Sequence, residues 1–160
     1  MQILQYLFYI LIFPGFLFTM FAGFLLAGID RKVLARMGKF MIRKSETGYV
    51  FHLVAANGMT IGTSQVYADM GGLQNGIDSV KKNCTIAPIE DQTEENFKEA
   101  KNPKYVIFSD KEGKTRFHLT ASNGQIILAS QAYKEYDSVR KGIDSVKINA
   151  PEAPSEMNQE

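Results

Sequence analysis

Two histidines, His52 and His118, occupy the same string, Phe-His-Leu, at matching places 66 positions apart. Imidazoles in equivalent positions of a repeated unit can approach across a two-fold and hold a metal. Two ring nitrogens still supply only half of a tetrahedral zinc shell, and Cys84 is the sole cysteine in the chain. Each histidine also alternates with apolar neighbours, Phe51/Leu53 and Phe117/Leu119. On a strand that pattern turns the imidazole away from the core, so both are expected to be solvated sheet residues. Ser64, Ser79, Ser130 and Ser145 recur in both copies of the unit, but none is accompanied by a histidine–acid arrangement that would make it a nucleophile. Asp78/Lys81 and Asp144/Lys147 have the i,i+3 spacing of ordinary helix-surface pairs. Neither a Gly-Lys-Ser/Thr phosphate loop nor a dinucleotide fingerprint is present. These residues predict no catalytic group, no cofactor and no metal site, and hence a protein that is not an enzyme.

Composition narrows the partners. Eighteen basic residues balance 17 acidic ones, a formal charge of +1, which gives no basic stripe for nucleic acid. Apolar residues at 45% exclude wholesale disorder. A single cysteine excludes an internal disulfide framework and fits a reducing compartment. Cys84 falls on an apolar helix stripe opposite Ala150 of the other copy, so it reads as a small core residue.

The elements that carry these residues come in two copies. Residues 49–84 and 115–150 align without gaps, with 17 of 36 positions identical. Among them are Asn57-Gly58 and Asn123-Gly124, Ser64-Gln65 and Ser130-Gln131, Tyr67 and Tyr133, and Gly76–Lys81 and Gly142–Lys147. Phe40 and Ile42 match Tyr105 and Ile107 after a one-residue shift. Each copy is one supersecondary unit of roughly 50 residues. Weak alternation over Lys39–Lys44, a turn cluster at Ser45–Gly48, and period-two Tyr49, Phe51, Leu53 and Ala55 predict two strands. Asn57-Gly58 predicts a type I′ turn into a third strand, Thr60–Gln65. The period then changes: Leu73, Ile77, Val80 and Cys84, like Val139, Ile143, Val146 and Ala150, mark one face of a helix. Asp69 and Asp137 are the candidate N-caps. Gly76 and Gly142 inside the helices imply close approach of helix to sheet. Thr85–Glu90 suggests a short fourth strand, and the polar tail 151–160 is expected to be frayed and disordered.

The combination Ala-x-Asn-Gly, Ser-x-x-Tyr and Gly-Ile-x-Ser-Val-Lys, present twice, resembles the YegP-like family of tandem-repeat domains over residues 37–150. The resemblance implies an α+β fold of tandem β(3)-α-β repeats that share one antiparallel sheet, exchange their C-terminal strands and carry helices on one face. It brings no established activity.

Before the repeats, residues 1–29 contain no charged side chain and are rich in Leu, Ile and Phe. About 20 such residues span a bilayer core as a helix, so a single transmembrane helix is expected, in contact with lipid through residues 3–29 and kinked at Pro14. A cleaved signal peptide needs a basic start and a shorter apolar core, and this segment has neither. Arg31, Lys32, Arg36, Lys39, Arg43 and Lys44 follow directly. The positive-inside rule then gives a single-pass protein of the cytoplasmic (inner) membrane with its repeats on the cytoplasmic side. The string Gly28–Met37 resembles the start of the quinone-pocket subunit of respiratory complex I and related membrane-bound hydrogenases. That family's turn and further apolar helices do not follow it, so its redox machinery does not carry over.

The expected organisation is a membrane helix with a basic juxtamembrane segment (1–36), a first repeat (37–90), an acidic linker (91–103), a second repeat (104–150) and the tail. The expected function is a non-catalytic, membrane-tethered module that meets a protein partner, or a second copy of itself, through the sheet. The alternative is a truncated or fused accessory piece of a membrane-bound NADH-quinone oxidoreductase or hydrogenase complex. The abrupt switch at Met37 also fits an artificial junction, which a native peptide spanning Ala35–Phe40 would exclude.

Overall fold

A computed structural model describes residues 37–158. The expected membrane helix and basic segment lie outside these residues. Among the described residues no helix is long and apolar enough to cross a membrane.

The first repeat contributes β1 (Lys39–Ser45), β2 (Gly48–Val54), β3 (Thr60–Thr63), α1 (Met70–Asn83) and β4 (Ile89–Asp91). The second contributes β5 (Tyr105–Ser109), β6 (Thr115–Thr120), β7 (Ile126–Ser130), α2 (Tyr136–Asn149) and β8 (Ser155–Met157). All eight strands form one sheet in the order β4-β5-β6-β7-β3-β2-β1-β8, a palindrome about the β7–β3 pair. Each repeat's last strand crosses to the other repeat: β4 pairs with β5, and β8 with β1. These two outer pairs are parallel, so the sheet is mixed rather than wholly antiparallel. Each helix runs back along the sheet and delivers the strand after it in the direction of its new neighbour. The tail expected to fray is thereby ordered through Asn158, whose N–H donates to the Ile42 carbonyl (2.8 Å). The fourth strand of the first repeat is Ile89–Asp91, displaced toward the linker from the expected Thr85–Glu90.

Both helices lie on one face of the sheet. Leu73, Ile77 and Val80 of α1, and Val139, Ile143 and Val146 of α2, are fully buried against Phe40, Phe51, Leu53, Tyr105, Phe117 and Leu119. Each such side chain withdrawn from water contributes roughly 1.5–3 kcal/mol, so these two stripes dominate the stability of the unit. Asp69 caps α1, its Oδ1 accepting from the Gly72 N–H (2.8 Å). The second cap differs from expectation. Glu135 occupies the N-cap position without a side-chain hydrogen bond, and Asp137 stands within the first turn. There its charge still favours the helix N-terminus.

The Asn-Gly turns are not type I′. Only the glycines take positive φ, +82° at both Gly58 and Gly124. The Gly58 N–H reaches the Ala55 carbonyl and the Ala55 N–H reaches the Met59 carbonyl, which closes a three-residue loop ending in a left-handed glycine. Asn57 is thereby spared a strained backbone, and its Oδ1 accepts from the Met59 N–H instead (3.0 Å).

Candidate functional site

The residues shared by the two repeats divide by role once placed in the fold. Ser64 Oγ accepts from the Phe51 N–H and donates to the Gln65 carbonyl, closing the ladder where β3 leaves β2. Ser130 does the same with Phe117 and Gln131. Ser79 and Ser145 receive Asn83 and Asn149, which reach back along the last turn of each helix. Asp78 is held by Gln74 (3.0 Å) rather than by Lys81. Lys81 instead lies over the Phe40 ring (5.8 Å), and Lys147 over the Tyr105 ring (5.6 Å), where the aromatic face attracts the ammonium. Cys84 is buried, its thiol pushed up by burial, and its carbonyl accepts from the Tyr105 hydroxyl (2.9 Å). Each repeated serine, asparagine and lysine therefore serves packing or termini.

The histidines occupy the face opposite the helices, and the register fixes their separation. One row crosses the whole sheet: Glu90, Val106, His118, Ala129, Thr63, His52, Met41 and Glu156. Two strands separate His118 from His52, which at ordinary strand spacing is about 14 Å. That is far beyond what a shared ion allows. Neither imidazole is simply solvated. His52 Nδ1 pairs with Thr63 Oγ1 (2.9 Å), and His118 packs on the Phe108 ring (5.3 Å). Burial lowers both pKa values, helped by Arg43 beside His52 and by Lys104 beside His118, although Glu90 pulls His118 the other way. Among the described residues no group of three or more His, Cys, Asp or Glu is placed to hold a metal. Elemental analysis of the full chain should find no stoichiometric zinc or iron. Tight metal lost in a His52→Ala, His118→Ala double variant would overturn this reading.

Among the described residues the two halves of the outer face differ. Over the second repeat it is crossed by the linker, residues 92–103, held down by one carboxylate. Glu90, 2% exposed, accepts from Lys104 Nζ (2.5 Å), the Ala100 N–H (2.8 Å) and Gln92 Nε2 (2.7 Å). Burial alone would raise its pKa, but the three donors outweigh it and hold the carboxyl below its ordinary value. Further along, the Thr120 hydroxyl donates to Asn102 Oδ1 (2.8 Å). A shallow cleft beside this strap is lined by Glu99, Lys101, Asn102, Lys104 and Ser122. Over the first repeat no such segment among the described residues covers Met41, Val50, His52 and Val54, which are half-buried. Sequence reasoning passed over Glu90 and Lys104. The signal was Ala-Pro-x-Glu, present at 87–90 and again at 153–156, just past the end of the aligned repeat.

Two sheet-and-helix units that exchange their last strands and share one eight-stranded sheet define a tandem-repeat α+β fold. The model of the domain of unknown function DUF1508 matches twice, at residues 45–91 and 110–156, and the chain belongs to that family. A UPF0339 protein of Bordetella pertussis is 39% identical over 118 residues, covering 74% of this chain and 93% of its own. A UPF0339 protein of Methanosarcina acetivorans is 54% identical over 50 residues, 31% of this chain and 86% of its own. The solution structure of yegP from Escherichia coli matches with a TM-score of 0.61 at 34% identity, over 76% of this chain and 93% of that one. The expected YegP-like fold is thus the fold found. These comparisons give no support to a complex I-like membrane segment.

Proposed function

We propose that the chain is a non-catalytic binding module tethered to the cytoplasmic membrane, with its repeat domain on the cytoplasmic side. The observation that carries the binding role is the sheet itself. Helices cover one face, the repeated polar residues are consumed by the fold, and among the described residues no segment covers the other face over the first repeat. A partner protein meets that face. The tether rests on the uncharged run through residues 3–29 and the basic residues after it. The near-neutral balance from Met37 onward, 15 basic against 16 acidic residues, argues against nucleic acid.

Fractionation tests the tether. The full chain should stay with membranes after alkaline extraction, whereas residues 37–160 alone should be soluble and melt cooperatively. Phe40, Ile42, Phe51 and Leu53 should exchange their amide hydrogens equally slowly in both forms. A full chain in the soluble fraction overturns the tether, and a short form without a cooperative melt overturns the independence of the repeat domain. The second reading, an accessory piece of a membrane oxidoreductase or hydrogenase, is favoured by the string Gly28–Met37 alone. It requires co-purification at fixed stoichiometry with subunits that carry flavin or iron–sulfur absorbance.

A further inference from the structure

The cleft beside the strap has a volume of about 570 Å³, within the range of small-molecule sites, and apart from Ala100 its lining side chains are polar or charged. Four of them can donate hydrogen bonds: Lys101, Asn102, Lys104 and Ser122. Two of the four are set in place by the fold. Lys104 Nζ is held by Glu90 (2.5 Å), and the lysine side chain is 14% exposed. One N–H is spent on that carboxylate and two remain. Asn102 is oriented by Thr120, whose hydroxyl donates to Oδ1 (2.8 Å). Nδ2, which can only donate, then lies on the other arm of the same amide, beside the turn that carries Ser122 and Gly124. A Cβ on Gly124 would stand 3.2 Å from this nitrogen, so the glycine keeps the space around it open. Lys101 adds a second cation, and Glu99 is the one carboxylate of the lining. The first repeat does not carry the same donors. Val54 stands where the second repeat has Thr120, and Ala56 where it has Ser122. The donor set is thus a property of the second repeat's own sequence rather than of the repeated fold.

We propose that this cleft binds a small oxyanion, a carboxylate or phosphate group, through Lys101, Asn102, Lys104 and Ser122. Hydrogen bonds from an ammonium to an anion are the strong kind, and donors fixed before binding lose little freedom when the ligand arrives. The fixed charges set the valence of the ligand. Lys101 and Lys104 are opposed by Glu99 in the lining and by Glu90 beneath it. A second negative charge on the ligand therefore meets no further counter-charge. A singly charged group, such as an organic carboxylate, fits better than a doubly charged phosphate. The site goes beyond the partner-protein reading and does not depend on it.

The probes are acetate and inorganic phosphate, titrated into the full chain, isotope-labelled in detergent micelles, with sodium chloride holding the ionic strength constant. The amide resonances of Lys101, Asn102, Lys104, Ser122 and Gly124 should shift and saturate, half-way at about 1 mM acetate. Those of Val54, Ala56 and Gly58 should stay where they are. Phosphate at alkaline pH, where it is doubly charged, should bind about fivefold more weakly than acetate. Glu99→Gln should narrow that gap by strengthening phosphate more than acetate. Asn102→Asp keeps the oxygen that Thr120 meets and puts a carboxylate oxygen in place of the donor. It should weaken acetate about tenfold or more with no change in the thermal melt. Lys101→Gln should weaken acetate about threefold. Saturation by phosphate ahead of acetate keeps the site and assigns it to a phosphate-bearing ligand. The proposal is overturned by shifts that grow without saturating, by equal shifts in the two repeats, or by an acetate affinity that Asn102→Asp leaves unchanged.

Discussion

Glu90→Ala should cost about 3 kcal/mol of folding stability, while Glu156→Ala, its symmetry mate, should cost less than about 1 kcal/mol. Both carboxylates pair with an equivalent lysine. They differ in solvent. The Lys104–Glu90 pair is sealed beneath the strap, so removing the acid strands a nearly buried ammonium and the Ala100 N–H. The Lys39–Glu156 pair is open to water, which screens the attraction and rehydrates whatever is left behind. Urea titration of the two variants reads the difference. Hydrogen exchange should show amides 92–103 opening in Glu90→Ala and unchanged in Glu156→Ala. The pH dependence has a definite sign. The folded state holds Glu90 below its ordinary value of 4.5. Its contribution is therefore complete above that value and is lost as pH falls through the lower folded-state pKa. Glu90→Gln should lack this acid-side loss. Equal costs for the two alanine variants would mean that the strap seals nothing.

The long, periodic elements were legible because burial imposes a period on them. Phe51 and Leu53 alternate along β2, and Leu73, Ile77 and Val80 recur along α1, and all five are fully buried. The repeat alone implied the two-fold. Short elements escaped because three residues hold no period: β4 and β8 are set by pairing with a strand of the other repeat, which local spacing does not show. The tail read as frayed because its polarity suits an edge strand and a coil equally. At the candidate site, alternation placed His52 and His118 on the outer face, but it could not show that two strands lie between them. Nor could it reveal the strap, whose anchor, Glu90, closes the first repeat just before the segment that composition marks simply as an acidic linker. Lys81 and Lys147 were read as partners of neighbouring aspartates. They were drawn instead to rings contributed by β1 and β5, which local spacing cannot see.

Gly142→Ala should destabilise the protein by about 2 kcal/mol, although alanine is the better helix former by roughly 1 kcal/mol. The expected reason for this glycine was close approach of the helix to the strands, and the neighbours found are two aromatic rings. A Cβ at this position would stand 2.5 Å from the Tyr133 hydroxyl oxygen and 3.0 Å from both Tyr133 Cζ and Phe117 Cε1. Phe117 is enclosed, and the half-buried Tyr133 ring can yield only by giving up its stack on Phe117. Phe117 is 1% exposed, in edge contact with Tyr105 at 6.0 Å and stacked on Tyr133 at 6.3 Å. Tyr133 is tied at its backbone by two hydrogen bonds with Thr115. Overpacking a pinned pair costs about 1–3 kcal/mol, and adding a methyl at less than van der Waals distance from three atoms puts this site at the upper end. The propensity gain offsets only part of that. Tyr133→Phe removes the nearest of the three atoms, so the double variant should recover about 1 kcal/mol relative to the sum of the single changes, a coupling that urea melts of the four proteins measure. The first repeat has the same arrangement, with Tyr67 against Gly76 and Tyr67 stacked on Phe51 at 6.2 Å. Gly76→Ala should therefore lose stability in the same direction. If either alanine variant melts at or above the parent, the helix can ride outward over the rings, and the recurrence of Tyr67/Gly76 and Tyr133/Gly142 needs an explanation other than packing.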